Sequence, residues 1–185
     1  AVLAADNGLD LAIEGVPAKL SATHRAALAD LARPARIIRL TVDGDPVVMA
    51  AAPVVTINGV ALTPPPGAFL QAASAAEQLI ADAVLAGLGK AKRVVDLFAG
   101  LGTITFAIAR KAQVLAVDGD AKLLGALDAG RRHAQGLKPI QTLTRDLFRL
   151  PLSPRELKGF DAVVLDPPRA GAKAQVEALA RAEVR

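Results

Sequence analysis

Residues 94–103 read Val-Val-Asp-Leu-Phe-Ala-Gly-Leu-Gly-Thr, and few folds accept such a run. The apolar start with a single acid suits a strand buried on both faces. Gly100 and Gly102 then suit a tight turn where the backbone needs conformations that a Cβ disfavours. Thr103 opens an apolar, helix-length segment. Strand, glycine turn and helix in that order predict the first unit of an open α/β sheet.

The downstream sequence repeats the alternation. A helix is predicted to end near Leu88, followed by a strand over Arg93–Ala99 and a helix over Thr103–Lys111. Gln113–Asp118 reads as the second strand, and the next helix runs from about Ala121 to Gln135, closed by Gly136. Ile140–Arg145 and Asp161–Asp166 read as the third and fourth strands, and a last helix begins near Ala172. Alternation of this kind implies a parallel sheet with helices on both faces.

Residues 1–66 are organised differently. Leu9–Ile13 and Ile37–Val42 read as strands, and Ser21 caps a helix to about Leu31, ended by Arg33-Pro34. Asp43-Gly44-Asp45-Pro46 reads as a turn. Asn58-Gly59 sits between two β-prone runs and predicts a hairpin, because both turn positions favour positive φ. Pro64-Pro65-Pro66-Gly67 is stiff, and the domain boundary is placed there. The expected organisation is a small α+β domain over 1–66 and an α/β domain over 67–185.

Composition narrows the chemistry. Cysteine is absent, which removes disulfides, thiolate metal sites and iron–sulfur ligation by this chain. His24 and His133 match no metal-ligand spacing, so no metal is expected. Hydrophobic residues make up 52% of the chain, enough for a core, yet no run suits a membrane span. The start lacks the basic, apolar pattern of a signal peptide, and a cytoplasmic, monomeric protein is expected. A net charge of +4 is compatible with nucleic acid. Aromatics amount to 3%; Phe69, Phe98, Phe106, Phe148 and Phe160 are expected mostly in the core.

The polar residues at the predicted strand ends carry the ligand argument. The turn reads GxGxxT, with Thr105 where a dinucleotide fold prefers a third glycine. It also lacks the Lys-Ser/Thr pair of a phosphate-binding P-loop. Asp118 ends the second strand, where a carboxylate accepts hydrogen bonds from ribose hydroxyls in both dinucleotide and adenosylmethionine folds. Asp120 is the better placed of the two to cap the next helix. Asp146 ends the third strand, within reach of an adenine or as a plain loop acid. Asp166-Pro167-Pro168-Arg169 leaves the fourth strand stiffly. That holds Asp166 at the carboxyl edge, where open α/β sheets bind ligands, and brings Arg169 there as a cation for phosphate.

Taken together, Gly67-Ala68-Phe69-Leu70-Gln71, Asp96-Leu97-Phe98-Ala99-Gly100-Leu101-Gly102, Asp118, Asp146 and Asp166-Pro167-Pro168-Arg169-Ala170-Gly171 resemble the RNA uracil-5-methyltransferase family. The resemblance covers most of 67–185, the implied cofactor-binding domain, and implies that 1–66 is the family's central α+β domain, on the substrate side. It implies a Rossmann-like class I methyltransferase sheet, here its first strands only, with S-adenosyl-L-methionine as cofactor and ribosomal or transfer RNA as partner. It places Gln71, Phe98, Gly100, Gly102, Thr103, Asp118, Asp146 and Asp166 on the cofactor and Arg169 on the substrate. The family often has Asn at position 103, Glu at 118 and Asn at 146, all polar replacements of what stands here.

The resemblance also implies a mechanism in which a cysteine thiolate adds to uracil C6 and a glutamate later removes the C5 proton. Both groups are expected beyond Arg185, so 1–185 is expected to be a fragment. The apolar strand Val163-Val164-Leu165 suggests the same, since it would otherwise expose an edge. Three other readings remain. An amino-directed nucleic-acid methyltransferase usually has an aromatic where Arg169 stands. A non-catalytic RNA-binding protein would retain the fold alone. An NAD-dependent oxidoreductase is the third.

Overall fold

A computed structural model describes residues 1–17, 19–70, 74–182 and 184, without the side chains of 74 and 75. Gln71 therefore lies outside the described residues. The chain divides into two compact units, Ala1–Thr56 with Ala61–Ala72, and Ile57–Val60 with Ala73–Arg185.

In the first unit, β1 (Val2–Ala5), β2 (Gly8–Ile13), β3 (Ile37–Val42) and β4 (Asp45–Met49) form a sheet in the order β1-β2-β3-β4. The β2–β3 pair is parallel and its two neighbours are antiparallel. Helix α1 (Ala22–Ala32) makes the connection, and the Ser21 side chain accepts from the His24 N–H as its cap. Both β1 and β4 went unread in the sequence. The first is short and half alanine, and the second contains Pro46, which an edge strand tolerates. The turn before β4 is consequently narrower than expected, with only Asp43 and Gly44 outside the strands. Across the parallel pair, buried Arg39 donates to both carboxylate oxygens of buried Asp10 and to the Pro64 carbonyl. The proline segment thus stays with this unit.

Strands β5 (Val55–Ile57) and β6 (Val60–Leu62) form the expected hairpin. Asn58 and Gly59 take φ of 47° and 78°, the left-handed pair that its tight turn requires.

The second unit contains α2 (Ser74–Leu88), β7 (Arg93–Leu97), α3 (Thr103–Ala109), β8 (Gln113–Asp118), α4 (Ala121–His133), β9 (Ile140–Thr144), α5 (Pro154–Leu157), β10 (Ala162–Leu165) and α6 (Lys173–Leu179). Its strands are all parallel, in the order β10-β7-β8-β9. Val94, Val95 and Leu97 of β7 are fully buried, as expected for a central strand covered on both faces. Helix α2 packs on α3, α3 on β7 and β8, and α4 on β8 and β9. Among the described residues β10 is an edge strand, and only Ala162 of its four residues is fully buried.

This order reverses direction at β7. The chain steps outward from β7 to β8 and β9, then returns to place β10 on the other side. A crevice therefore opens at the carboxyl ends of β7 and β10. The loops after β7 and β10 carry Gly100 and Asp166 to that crevice, and the loop after β8 carries Asp118 to the adjoining strand end.

Candidate ligand site at the carboxyl edge

The turn after β7 is shaped by backbone demands before any ligand is considered. Phe98, Gly100 and Gly102 have φ of 63°, 55° and 91°. A Cβ on Gly102 would lie 2.8 Å from Leu127 Cδ1 and 3.1 Å from Phe106 Cε2. Glycine is required there by both conformation and packing. Gly100 differs, because a Cβ on it would meet nothing within 4 Å. The backbone at Gly100 borders open space, which is where a ligand can approach.

Asp118 holds this turn. Its Oδ2 accepts the Gly100 N–H at 2.8 Å and its Oδ1 accepts the Asp120 N–H at 2.8 Å. A carboxylate offers about four acceptor positions, so each oxygen keeps a free lone pair. Asp120 takes the capping role, accepting from Lys122 and Leu123 at the start of α4. Behind the turn, Asp96 is almost fully buried and accepts the Thr105 hydroxyl. Burial pushes the Asp96 carboxyl up to about 7; the Thr105 bond opposes the rise, and the nearby charges of Asp166 and Asp118 add to it. Three acids therefore lie within electrostatic reach of one another at a single strand-end cluster.

The remaining residues fall into place unequally. Asp146 faces its own loop: Oδ1 accepts the Phe148 and Arg149 N–H groups, and Arg149 Nε lies 3.6 Å from Oδ2. It is nonetheless close to the Asp118 loop, since a Cβ on Gly119 would lie 3.9 Å from Asp146 Cα. Thr103 is anchored through its carbonyl, which accepts from Asn58 Nδ2 at 2.6 Å. Arg169 is exposed in the turn after the two prolines and makes no ion pair among the described residues.

Two features escaped the sequence reading. Phe148 is 51% exposed rather than core, and its ring lies 5.5 Å from that of half-buried Phe98, tilted by 59°. Its place two residues after Asp146 was the available signal. The other is the hairpin tip, where Asn58 bonds Thr103 and Arg110 Nη2 donates to the Asn58 carbonyl at 3.0 Å. Arg110 also bonds the Gln135 carbonyl. It ties the hairpin tip to the loop after α4.

A protein-family model described as "Conserved hypothetical protein 95" matches residues 77–184, more than half of the chain. The chain belongs to this family. Residues 77–184 of this Conserved hypothetical protein 95 member include every site residue above except Asn58 and Gln71. An uncharacterized RNA methyltransferase of Rhizobium meliloti is 51% identical over the whole chain, which spans 44% of that relative's length. A 23S rRNA (uracil(1939)-C(5))-methyltransferase of Xylella fastidiosa is 41% identical over 52% of the chain and 22% of its own length. Among solved structures, the Pyrococcus abyssi tRNA (uracil-54, C5)-methyltransferase in complex with S-adenosyl-L-homocysteine superposes with a TM-score of 0.57. It is 22% identical, over 69% of this chain and 31% of that one. The fold is accordingly the Rossmann-like α/β fold of methyltransferases. Among the described residues no group of acids and histidines is arranged to hold a metal ion, and no helix is long and apolar enough to cross a membrane.

Proposed function

We propose that this chain carries the S-adenosyl-L-methionine site of an RNA methyltransferase. The observation that carries the reading is the convergence of Asp96, Asp118 and Asp166 on the glycine turn, with open space at Gly100. That acidic cluster favours a cationic ligand. An anionic pyrophosphate would face repulsion there, which weighs against a nicotinamide dinucleotide. S-adenosylmethionine supplies a methyl group on a positively charged sulfonium. The names of the relatives support the same choice, and they supply the RNA.

In this reading Asp118 uses its two free lone pairs for the ribose hydroxyls, while its bonds to Gly100 and Asp120 keep it from turning away. Gly100 lets the cofactor reach the main chain, and Gly102 keeps the turn closed over Leu127. Phe98 and Phe148 line one side with apolar surface, and Asp146 borders it. Thr103 is held in place by the Asn58 bond. Asp166, exposed at the crevice, faces the cationic end of the cofactor, and Gln71 is assigned to the same site by its motif. Arg169 then meets the RNA phosphate. Residues 67–185 form the cofactor domain and 1–66 the substrate-side domain.

Within RNA methylation the substrate reading is uridine C5, as in the family the motifs resemble. Without cysteine, residues 1–185 supply no thiolate to add at uracil C6. That nucleophile and the glutamate base are assigned to further residues of a protein of the relatives' full length.

The test is calorimetric titration of such a full-length protein with S-adenosylmethionine, followed by transfer of labelled methyl to unmodified total RNA. Label at uracil C5 supports the whole reading. Label on an exocyclic amine would replace uridine with an amino-directed substrate. Absence of cofactor binding would overturn the reading at its root.

A further inference from the structure

The second unit's charge is unevenly distributed. Its carboxyl edge mixes Asp118, Asp146 and Asp166 with Arg145, Arg149 and Arg169. Its amino edge, where the parallel strands begin, carries Lys90, Lys92, Arg93, Lys111, Lys138 and Lys158, all exposed. None of the six forms an ion pair among the described residues. The acid found among them, Asp161, is turned into the backbone, accepting the N–H groups of Lys92 and Arg93 through Oδ2.

These cations stand on a fixed frame. The Gln113 N–H donates to the Lys92 carbonyl, the Lys138 N–H to the Ala109 carbonyl and the Asp161 N–H to the Arg93 carbonyl. The Arg93 guanidinium lies 5.0 Å over the Phe160 ring, which orients it further. Four adjacent strands are three steps of about 4.8 Å apart, so the row runs roughly 15 Å. A row of that length can follow several phosphates of a nucleic-acid strand. Nothing in the cofactor site uses it, because the five-residue strand β7 separates the two edges by roughly 16 Å.

We propose that the amino edge of this sheet binds the phosphodiester backbone of the RNA substrate, outside the cofactor crevice, through Lys90, Lys92, Arg93, Lys111, Lys138 and Lys158. This rests on the RNA reading above and adds a second contact region to it. The contact is electrostatic and independent of sequence, so it raises affinity and orients the RNA without choosing the nucleotide. Each engaged cation releases condensed counterions and contributes about 0.7 to 0.9 to the slope of log K against log salt.

The test uses the full chain and its quadruple variant Lys90→Gln, Lys92→Gln, Lys111→Gln, Lys138→Gln. A control carries Lys122→Gln, Arg131→Gln, Arg132→Gln, Lys173→Gln, with the same change in net charge. Binding of an unmodified ribosomal RNA transcript is followed by fluorescence anisotropy at several salt concentrations, and S-adenosylmethionine affinity is measured on each protein. The expected result is at least a tenfold loss of RNA affinity for the edge variant, with a slope shallower by about 3 to 3.5. Its cofactor affinity stays at the wild-type value, and the control loses less than threefold. Equal losses in the two variants would overturn the proposal, since net charge alone would explain them. Retention of RNA binding by the edge variant, with loss of binding to phosphatidylserine vesicles, would overturn it in favour of a lipid surface. A wild-type chain that binds cofactor and no RNA would overturn it together with the RNA reading. An edge variant that binds RNA as tightly as the wild-type chain, with the same salt slope, would overturn it alone.

Discussion

Two glycines two positions apart have different roles: Gly102 is packed and Gly100 is open. Gly102→Ala forces a Cβ into Leu127 at a positive φ and is expected to destabilise the fold by about 2 to 3 kcal/mol, read from denaturant midpoints. Gly100→Ala carries mainly the backbone cost, about 1 kcal/mol. Its Cβ enters the proposed cofactor space, so cofactor affinity should fall further than stability does. Asp118→Asn retains a similar shape and removes the charge. Loss of charge-assisted bonds to ribose is expected to weaken S-adenosylmethionine binding by about 10- to 100-fold in calorimetry. An unchanged affinity would remove Asp118 from the site.

At the scale of elements, short side-chain ties decide where loops rest. Gln175 of α6 is fully buried, and its amide both accepts from the Leu152 N–H and donates to the Leu152 carbonyl. Gln175→Leu leaves those two backbone groups unpaired and is expected to cost about 1 to 3 kcal/mol, measured by urea unfolding. The four-residue α5 depends on its ends: Ser153 and Glu156 form a reciprocal capping box, and Arg145 pairs with Glu156. The Ser153 backbone and side-chain bonds, followed by Arg145, pull the Glu156 carboxyl down to about 2. The signal Ser-Pro-Arg-Glu was present in the sequence, but four residues give no helical periodicity to read. In β2 and β3, Asp10–Arg39 is a buried pair. Removing one partner leaves an uncompensated charge, and Arg39→Leu is expected to cost about 3 to 5 kcal/mol.

For the whole molecule, Asp96 links stability to pH and to ligand charge. Its folded-state pKa is about 7 against an ordinary value of 3.8. Between those values the native state holds a proton that the unfolded state has released, so stability falls as pH rises from about 4 to 7. Asp96→Asn should remove that part of the slope in unfolding free energy measured across the window. The same group sets the expected sign for cofactor binding. A cationic ligand favours the ionised carboxylate, so affinity should rise with pH through about 7, and the rise should vanish in Asp96→Asn. A flat wild-type profile would separate Asp96 from the ligand's charge.

Sequence alone determined what depends on local chemistry. Alternating apolar strands and helices after residue 92 specify a parallel sheet, because such strands are stable only when covered on both faces. Asn58-Gly59 specifies a hairpin through its φ angles, and Asp120 specifies the start of α4 through a cap two residues away. Strands such as β1 and β4 were invisible, since alanine and proline carry little β signal and pairing with neighbours supplied the rest. Tertiary structure alone decided which acids meet. Asp96, Asp118 and Asp166 are separated by 22 and 48 residues (118 − 96 and 166 − 118). They converge because β10 returns beside β7 and reverses the strand order there. Tertiary structure also turned Asp146 into its own loop, exposed Phe148 beside Phe98, and gathered scattered lysines into one basic edge. Long-range charge and contact depend on strand order, and strand order is not encoded in any local window of residues.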